Sequence, residues 1–386
     1  MCVIAINQVL WITFASITGS AATFYGVSDL SIGLLSMSFM IVYIFVSIPA
    51  SWMIDKFGIK VAVGIGVTLT GVFGLLRGIV ATNYTFVLIA QIGIAIGQPF
   101  ILNSITTIAA HWFPIKERAT AAGLGSLAMY VGIALGLVLT PYLTLQLQIN
   151  GMLLAYGIVS ILVILIFFIF VKERPPTPPC PPDQVERSLV FDGLKESFRI
   201  KDFILLMVIF FVGLGVFNAV TTWIEDILRP RGFSIIQAGN TGGVMILGGI
   251  IGAVLIPILS DRNRKRTPYL LIAVIGATLG LVGITFSTTY GLLLISAFCF
   301  GFFLLSAGPV GFQYGAEVTY PTPEGTSNGL LLLMGQISGI CFIICMDVFK
   351  STDSGSMTGP LAVLIFLMIL SFFLCTKLKE AKTYLE

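Results

Sequence analysis

Long apolar runs alternate with short polar connections along almost the whole chain. A helix needs about 20 apolar residues to cross the hydrocarbon core of a bilayer, and twelve runs reach that length. They cover residues 3–24, 31–54, 60–81, 84–110, 119–142, 149–171, 203–224, 238–260, 268–288, 291–316, 327–349 and 359–376. The pattern therefore predicts an all-α membrane protein with twelve transmembrane helices.

One connection differs from the others in length and composition. Residues 172–202 open with a proline-rich stretch and continue as a charged segment. Because proline-rich sequence is stiff and extended, we interpret this segment as a linker. It separates an N-terminal six-helix bundle, residues 1–171, from a C-terminal six-helix bundle, residues 203–386.

The two predicted bundles repeat each other in sequence. A charged loop around Asp55 recurs around Asp261, 206 residues later, and both loops join two apolar runs. Glu117 and Glu324 stand in similar segments 207 residues apart. Two matches at nearly one spacing indicate that one half of the protein is a copy of the other, so we expect pseudo-symmetric bundles.

Composition requires a membrane as the solvent. The chain has 386 residues, of which 57% are hydrophobic and only 10% are charged, whereas soluble domains carry about 25% charged residues. The net charge of +3 is small, and no basic tract or zinc-ligand spacing indicates a nucleic-acid partner. Catalytic motifs are also missing and His111 is the only histidine, so we expect neither an enzyme nor a cofactor or metal site.

The basic residues predict the orientation in the membrane. Seventeen lysines and arginines fall on the side of the termini, and only Arg229, Arg231 and Lys350 fall on the other side. Because basic loops stay in the cytoplasm, we expect both termini and the linker to be cytoplasmic, in a monomer of the inner or plasma membrane. Arg77 lies near the outer end of the third run, where we expect it to reach the lipid headgroups.

The loop around Asp55 resembles the signature loop of the major facilitator superfamily, Gly-x-x-x-Asp-Arg-x-Gly-Arg-Arg/Lys. Asp55, Gly58 and Lys60 match it, Lys56 replaces an arginine, and the second copy keeps Asp261 and Arg262. The resemblance implies the twelve-helix fold of that superfamily. An aspartate at a helix end can pair with basic groups or a helix N-terminus, which predicts a latch on the inner face. The gating candidates are Asp55, Lys56, Gly58, Lys60, Glu117, Arg118, Asp261, Arg262 and Glu324; alternatively, their charges only set the topology.

Further segments resemble the feline leukaemia virus subgroup C receptor family. They are Trp11 with Phe24-Tyr25-Gly26-Val27, the run from Gln98 to Asn103 with the following Trp112-Phe113-Pro114-x-x-Glu117, Glu317-Val318-Thr319-Tyr320-Pro321, and Gln336. The resemblance implies transport of choline and ethanolamine, and haem has also been ascribed to the family. It further implies a site lined by a first-helix tryptophan and a seventh-helix tyrosine. Trp11 matches the tryptophan, and Phe211 stands in place of the tyrosine.

The positions of polar residues within the runs also predict a central site. Trp11, Gln98, Phe211, Asn218 and Gln336 each fall near the middle of a run. Amides at mid-membrane are costly unless they face a cavity or one another, so these residues either line a substrate site or hold helices together. With Asn103, they form the predicted substrate-binding set.

The same runs indicate the mode of transport. No Asp, Glu or Lys falls at the centre of any run, and proton-driven transporters usually carry an ionisable relay there. We therefore favour facilitated diffusion of a small organic solute, with a choline-like cation as one candidate. One alternative is a proton- or ion-coupled exporter of drugs or organic anions, in which Arg77 serves the anion. A second is a membrane receptor that transports nothing.

Overall fold

The computed structural model describes residues 1–114, 117–173, 197–320, 322 and 324–380. Their regular structure is helical, with no β-strand among them. The chain divides into two compact units, Met1–Leu189 and Val190–Glu386. Residues 174–196 of the predicted linker, 172–202, lie outside the described residues.

The first unit contains seven α-helices among its described residues. They are α1 (Cys2–Ile12), α2 (Thr18–Tyr25), α3 (Asp29–Phe57), α4 (Ile59–Ile79), α5 (Tyr84–Leu102), α6 (Ser104–Trp112) and α7 (Arg118–Phe170). Side chains that accept backbone N–H groups fix two of the starts: Ser28 caps α3 through the Ser31 amide, and Asn83 caps α5 through the Phe86 amide. Such caps satisfy donors that a helix start leaves without partners.

Four of the predicted runs differ from simple helices. The run 3–24 is broken at residues 13–17, between α1 and α2, and the run 84–110 changes helix at Asn103. Conversely, the predicted fifth and sixth runs both lie in α7, in which two helical stretches meet at a kink at Gln148. The backbone of Gln148 has φ 59° and ψ 175°, a conformation that cannot belong to an α-helix.

The second unit also contains seven helices in its described part. They are α8 (Lys201–Thr222), α9 (Ile224–Leu228), α10 (Ile235–Asn263), α11 (Thr267–Phe286), α12 (Tyr290–Thr319), α13 (Glu324–Val348) and α14 (Thr358–Cys375). Ser234 and Gln237 form a capping box at the start of α10, since each side chain bonds the other's backbone N–H.

The helices are long and apolar enough for a bilayer. Ten segments of the described part reach the length and hydropathy of a membrane span, and the one within α7 covers 51 residues from Thr120 to Phe170. Large apolar side chains stand exposed along their outer faces, for example Phe45, Phe170 and Phe366. Surfaces of this kind suit lipid tails rather than water, because no polar groups cover them.

Glycines allow α10 and α12 to approach each other closely. A Cβ atom on Gly301 would overlap the carbonyl oxygen of Met245, and one on Gly252 would overlap the carbonyl oxygen of Phe302. The obstacle is backbone in both cases, so it cannot turn aside as a side chain could. Membrane helices gain little from burying apolar surface against each other and depend on such close contact instead.

We expect Gly301→Ala to destabilise the protein by about 2 kcal/mol, because overpacking against backbone forces the two helices apart. Gly291→Ala on the same helix meets open space and serves as the matched control. Thermal unfolding of the purified variants in detergent measures the difference. Equal melting temperatures for the two variants would contradict the role given to the close contact.

Candidate functional site

Trp11 lies in the last turn of α1 and is almost completely buried. Its indole Nε1 donates a hydrogen bond to the carbonyl oxygen of Ser36 on α3, at 3.2 Å. This bond fixes the ring to a neighbouring helix and satisfies its only polar atom. The faces of the ring carry no hydrogen-bonding group, so they remain suited to apolar contact or to a cation.

Gln98 is a buried amide that other residues do not satisfy. Its side chain is 7% exposed, and it makes no hydrogen bond to any residue that the structure describes. Its amide oxygen and nitrogen keep some accessible surface, so water or a ligand can reach them, whereas enclosing them without partners would cost roughly 1–3 kcal/mol. Buried polar groups therefore normally have a partner, and a group that lacks one in its own protein is suited to a ligand or to water.

Asn103, by contrast, has its side chain fully engaged within the first unit. It lies where α5 gives way to α6, and its Oδ1 accepts a hydrogen bond from the Tyr43 hydroxyl at 2.8 Å. Its Nδ2 donates to the hydroxyls of Ser47 and Ser51 on α3, at 3.0 and 2.9 Å. The amide thus ties the junction of two helices to a third one.

The structure corrects the expectation for Arg77. Its side chain is 0% exposed, so it does not reach the headgroups. Nη1 donates to the carbonyl of Leu10 at 3.0 Å and to Oε1 of Gln91 at 2.6 Å, and Nη2 donates to Thr13 at 3.3 Å. These bonds, which all lie within the first unit, weaken the alternative in which Arg77 serves a transported anion.

In the second unit, the predicted site residues gather where α8 meets α13. The ring of Phe211 contacts the ring of Phe342 edge to face, with centroids 5.8 Å apart. Asn218 Nδ2 donates to the carbonyl of Gly335 at 3.1 Å. The next residue, Gln336, is half-buried and has no hydrogen-bond partner for its side chain in the described part of the chain. It is the second amide of the set that is left for a ligand or water.

The loop between α3 and α4 is built around Gly58, which has φ +85°. The carboxylate of Glu173, beyond the end of α7, accepts hydrogen bonds from the backbone N–H groups of Ile59 and Lys60 at 2.9 and 2.6 Å. A Cβ on Gly58 would overlap this carboxylate. Glycine is therefore required here twice, for its backbone conformation and for its lack of a side chain.

The matching loop between α10 and α11 is built with other residues. The carboxylate of Glu380 accepts from the backbone N–H groups of Arg266 and Thr267 at 3.0 and 2.9 Å. Arg266, which is 4% exposed, also pairs with Asp261 and, at 3.1 Å, with Glu317. Asp261, a predicted gating residue, is thus one of three carboxylates, with Glu317 and Glu380, that bond Arg266.

The remaining gating candidates lie at the surface. Asp55 and Arg262 are exposed, and Lys56 lies over the ring of Trp52, 4.6 Å from its centroid. Lys60 contributes its backbone N–H to the cap described above, and Arg118 donates to the carbonyl of Phe113 at 3.4 Å. Glu117 is exposed at the start of α7. The side chain of Glu324 lies outside the described part.

Comparison with known proteins identifies the family. The profile of the Major Facilitator Superfamily matches residues 1–343. The chain belongs to the major facilitator superfamily. As the sequence predicted, it is an integral membrane protein and a transporter.

Individual members of the superfamily cover nearly the whole chain. The human choline/ethanolamine transporter FLVCR2 is 28% identical over 98% of this chain and 76% of its own length. Solute carrier family 49 member A3 of Xenopus tropicalis is 30% identical over 92% of this chain and 77% of its own length. The resemblance to the feline leukaemia virus subgroup C receptor family is therefore confirmed.

Solved structures agree on the fold. The nucleoside transporter NupG superimposes with a TM-score of 0.76 at 15% identity, covering 98% of both chains. A D-xylose–proton symporter superimposes with a TM-score of 0.75 at 17% identity, covering 98% of this chain and 97% of its own. Identities this low show a shared major facilitator fold and carry no information on the substrate.

Sequence reasoning missed the two capping carboxylates of this major facilitator protein. Glu173 and Glu380 are 207 residues apart, the spacing of the repeat that links Glu117 to Glu324, and they bond N–H groups that are also 207 residues apart. The 207-residue spacing of the repeat could therefore have pointed to Glu173 and Glu380 as a pair. Arg266 gave no such signal, because the equivalent position in the first half is Ile59.

We expect Glu173→Gln and Glu380→Gln each to lower the stability of the protein by about 1 kcal/mol, because a carboxylate at a helix N-terminus interacts with both the free N–H groups and the helix dipole. The matched control is Glu117→Gln, since Glu117 stands at the start of α7 without a capping bond from its side chain. Thermal unfolding in detergent compares the three. If Glu117→Gln lowers the melting temperature as much as the other two variants do, the capping role is refuted.

Proposed function

We propose that this protein moves a small organic solute of the choline and ethanolamine type across the membrane by alternating access and facilitated diffusion. The observation that carries the proposal is Gln98, a largely buried amide without a hydrogen-bond partner among the described residues. Gln98 begins the run to Asn103 that resembles the feline leukaemia virus subgroup C receptor family. An amide of this kind can bond the hydroxyl of choline or ethanolamine, which otherwise loses its hydration on entering the membrane.

In this proposal, each unit supplies a ring face suited to an ammonium group and amides suited to a polar group. Trp11 and Phe211 offer ring faces to an ammonium group, which needs no carboxylate for attraction. Gln98 and Gln336 offer unbonded amides, and Asn218 retains its Oδ1 as an acceptor while its Nδ2 bonds Gly335. Asn103 contributes indirectly, because its bonds to α3 fix the junction of α5 and α6 that follows Gln98.

The charges of the described residues favour facilitated diffusion over coupling. Glu225 and Asp226 are buried, but they lie in the short helix α9 and pair with Arg229. Asp226 also lies 3.6 Å from Lys350 in the connection between α13 and α14. These carboxylates serve as ion-pair partners within one unit. A membrane proton relay needs carboxylates that can lose and regain a proton during the cycle.

We propose the following topology. The pairs α1–α2 and α5–α6 each form one interrupted span, α8 and α9 form another, and α7 provides two spans that meet near Gln148. Counted in this way, residues 1–171 and 203–386 each supply six spans, and 172–202 joins them. The excess of basic residues places the termini and this linker in the cytoplasm of a monomer in the inner or plasma membrane.

We further propose that the two loops with Asp55 and Asp261 act as an inner gate. In each half, a carboxylate from beyond the last span fixes the start of the helix that follows the loop. A fixed loop can present its charged residues in a constant orientation, as a latch between two states requires. Lys56, Lys60, Glu117, Arg118, Arg262 and Glu324 would contribute further charges to this face.

We expect proteoliposomes with the wild-type protein to take up choline saturably, and uptake to persist when the pH gradient is collapsed. Trp11→Ala should raise the KM for choline at least about tenfold, because a desolvated cation–π contact is lost. Trp11→Phe should retain part of the affinity. The control is Phe86→Ala, since Phe86 is exposed on α5. Wild-type uptake by Trp11→Ala, or choline accumulation driven by the pH gradient, would contradict the proposal.

A second prediction concerns the gate. Asp55→Asn and Asp261→Asn should each lower the maximal rate of uptake several-fold and leave the KM nearly unchanged, because they alter the conformational cycle and not the binding site. Asp353→Asn, in the exposed connection before α14, is the control. A change in KM with an unaltered maximal rate would assign the aspartates to substrate binding instead.

A further inference from the structure

The break between α1 and α2 has no cause in its own sequence. Residues 13–17 read Thr-Phe-Ala-Ser-Ile, without glycine or proline. Helices usually break where proline removes a donor or where glycine lowers the cost of leaving the helical conformation. Residues 13–17 lie within an apolar run that by itself predicts a continuous helix, so side-chain contacts are needed to maintain the break.

Ending a helix inside a membrane leaves carbonyl groups that need new donors, because lipid offers none. The structure shows where they come from. The hydroxyl of Thr13 donates to the carbonyl of Val9 at 2.7 Å, and the backbone N–H of Ala15 donates to that of Ile12 at 3.0 Å. The carbonyl of Leu10 also accepts from the Thr13 hydroxyl, at 3.3 Å, and it receives two further donors from outside the segment.

Those donors are Arg77 on α4 and Gln91 on α5. Nη1 of Arg77 and Nε2 of Gln91 lie 3.0 and 3.1 Å from the Leu10 oxygen. Both side chains are fully buried, and they also bond each other at 2.6 Å. The second arm of the guanidinium reaches Thr13, and its carbon lies 5.6 Å from the ring centroid of Phe14. One side chain therefore contacts α1 before the break and two residues inside it.

The charge of Arg77 fits this position. Among the described residues it forms no ion pair with a carboxylate, so its compensation comes from neutral acceptors. One of these is the carbonyl end of α1, which carries the negative end of the helix dipole. Interrupted helices of transporters often bind a dissolved cation with such carbonyls. Here the guanidinium of Arg77 bonds the carbonyl end of α1 instead of a dissolved cation.

We propose that Arg77 is a positioning residue that keeps the first span interrupted and thereby sets the orientation of Trp11. Trp11 follows Leu10 directly in the chain, so a fixed Leu10 carbonyl fixes the turn from which the indole projects. The bond from the indole to Ser36 fixes its other end. The effect on Trp11 as a substrate-binding residue rests on the proposed function, whereas the effect on the break does not.

The experiment measures the break and the binding of choline separately. In a variant that keeps Cys2 and lacks the other cysteines, Thr23→Cys adds a second exposed site beyond the break. Spin labels on the two cysteines report the length of the first span in the absence of any ligand. Isothermal titration with choline then reports binding by the same protein without the labels.

Arg77→Lys keeps the charge but lacks the planar fork that joins Leu10, Gln91 and Thr13. We expect the distribution of label distances to shift or broaden and the Kd for choline to rise about tenfold, the size of one lost aromatic contact. Gln91→Met removes the other donor to Leu10 without touching the charge. We expect Gln91→Met to change the label distances in the same direction as Arg77→Lys, but by a smaller amount. If Arg77→Lys does not fold, Gln91→Met still tests the proposal.

The matched control is Arg231→Lys. Arg231 also donates from Nη1 to a carbonyl in the last turn of a helix, that of Ile284 at 2.6 Å in the second unit, and burial lowers the pKa of its guanidinium from the ordinary value. We expect this variant to keep both the distances and the Kd.

Three results overturn the proposal: distances like those of the wild type in folded Arg77→Lys or Gln91→Met, a changed distance with an unaltered Kd, or an equal effect of Arg231→Lys. If the wild type does not bind choline, the proposed substrate is wrong, and the distances alone still decide whether Arg77 maintains the break.

Discussion

Backbone polar groups at membrane depth must find their partners within the protein, and the break in the first span shows how this chain meets that constraint. The carbonyl groups at the end of α1 bond Thr13, Ala15, Gln91 and Arg77. A buried guanidinium, which would be costly elsewhere, is stabilised there by the helix end that it caps. The junction of α5 and α6 follows the same rule, because Asn103 bonds α3 with both ends of its amide.

The two halves show how a duplicated structure keeps a requirement while its residues change. The start of α4 and the start of α11 each receive a carboxylate, from Glu173 and from Glu380. The turn before α4 uses glycine for its positive φ, whereas the turn before α11 has Arg264 at φ 49°. The N–H groups at a helix start always need acceptors, so the carboxylates persist. The turn can be formed by a residue other than glycine, here Arg264, at a modest cost in backbone strain.

A site made of rings and amides matches the charge balance of the first unit. With Arg77 buried there and fixed to the end of α1, a carboxylate placed nearby would pair with it and lose its freedom to act on a solute. Ring faces attract an ammonium group without forming such a pair, and unbonded amides such as Gln98 supply orientation. Binding of the proposed choline-like solute therefore requires no carboxylate from the protein.

The sequence by itself determined the membrane class, the family and the internal repeat, because these depend on composition, on long apolar runs and on spacing, none of which requires contacts between helices. It also singled out Trp11, Gln98 and Phe211 through a family resemblance, although their joint role remains a prediction. Only the tertiary structure decided that the first span is broken, that Arg77 is buried and that Asn103 is fully bonded. These features depend on donors and acceptors that are far apart in the chain, such as Leu10 and Arg77, and no local pattern of residues records which of them meet.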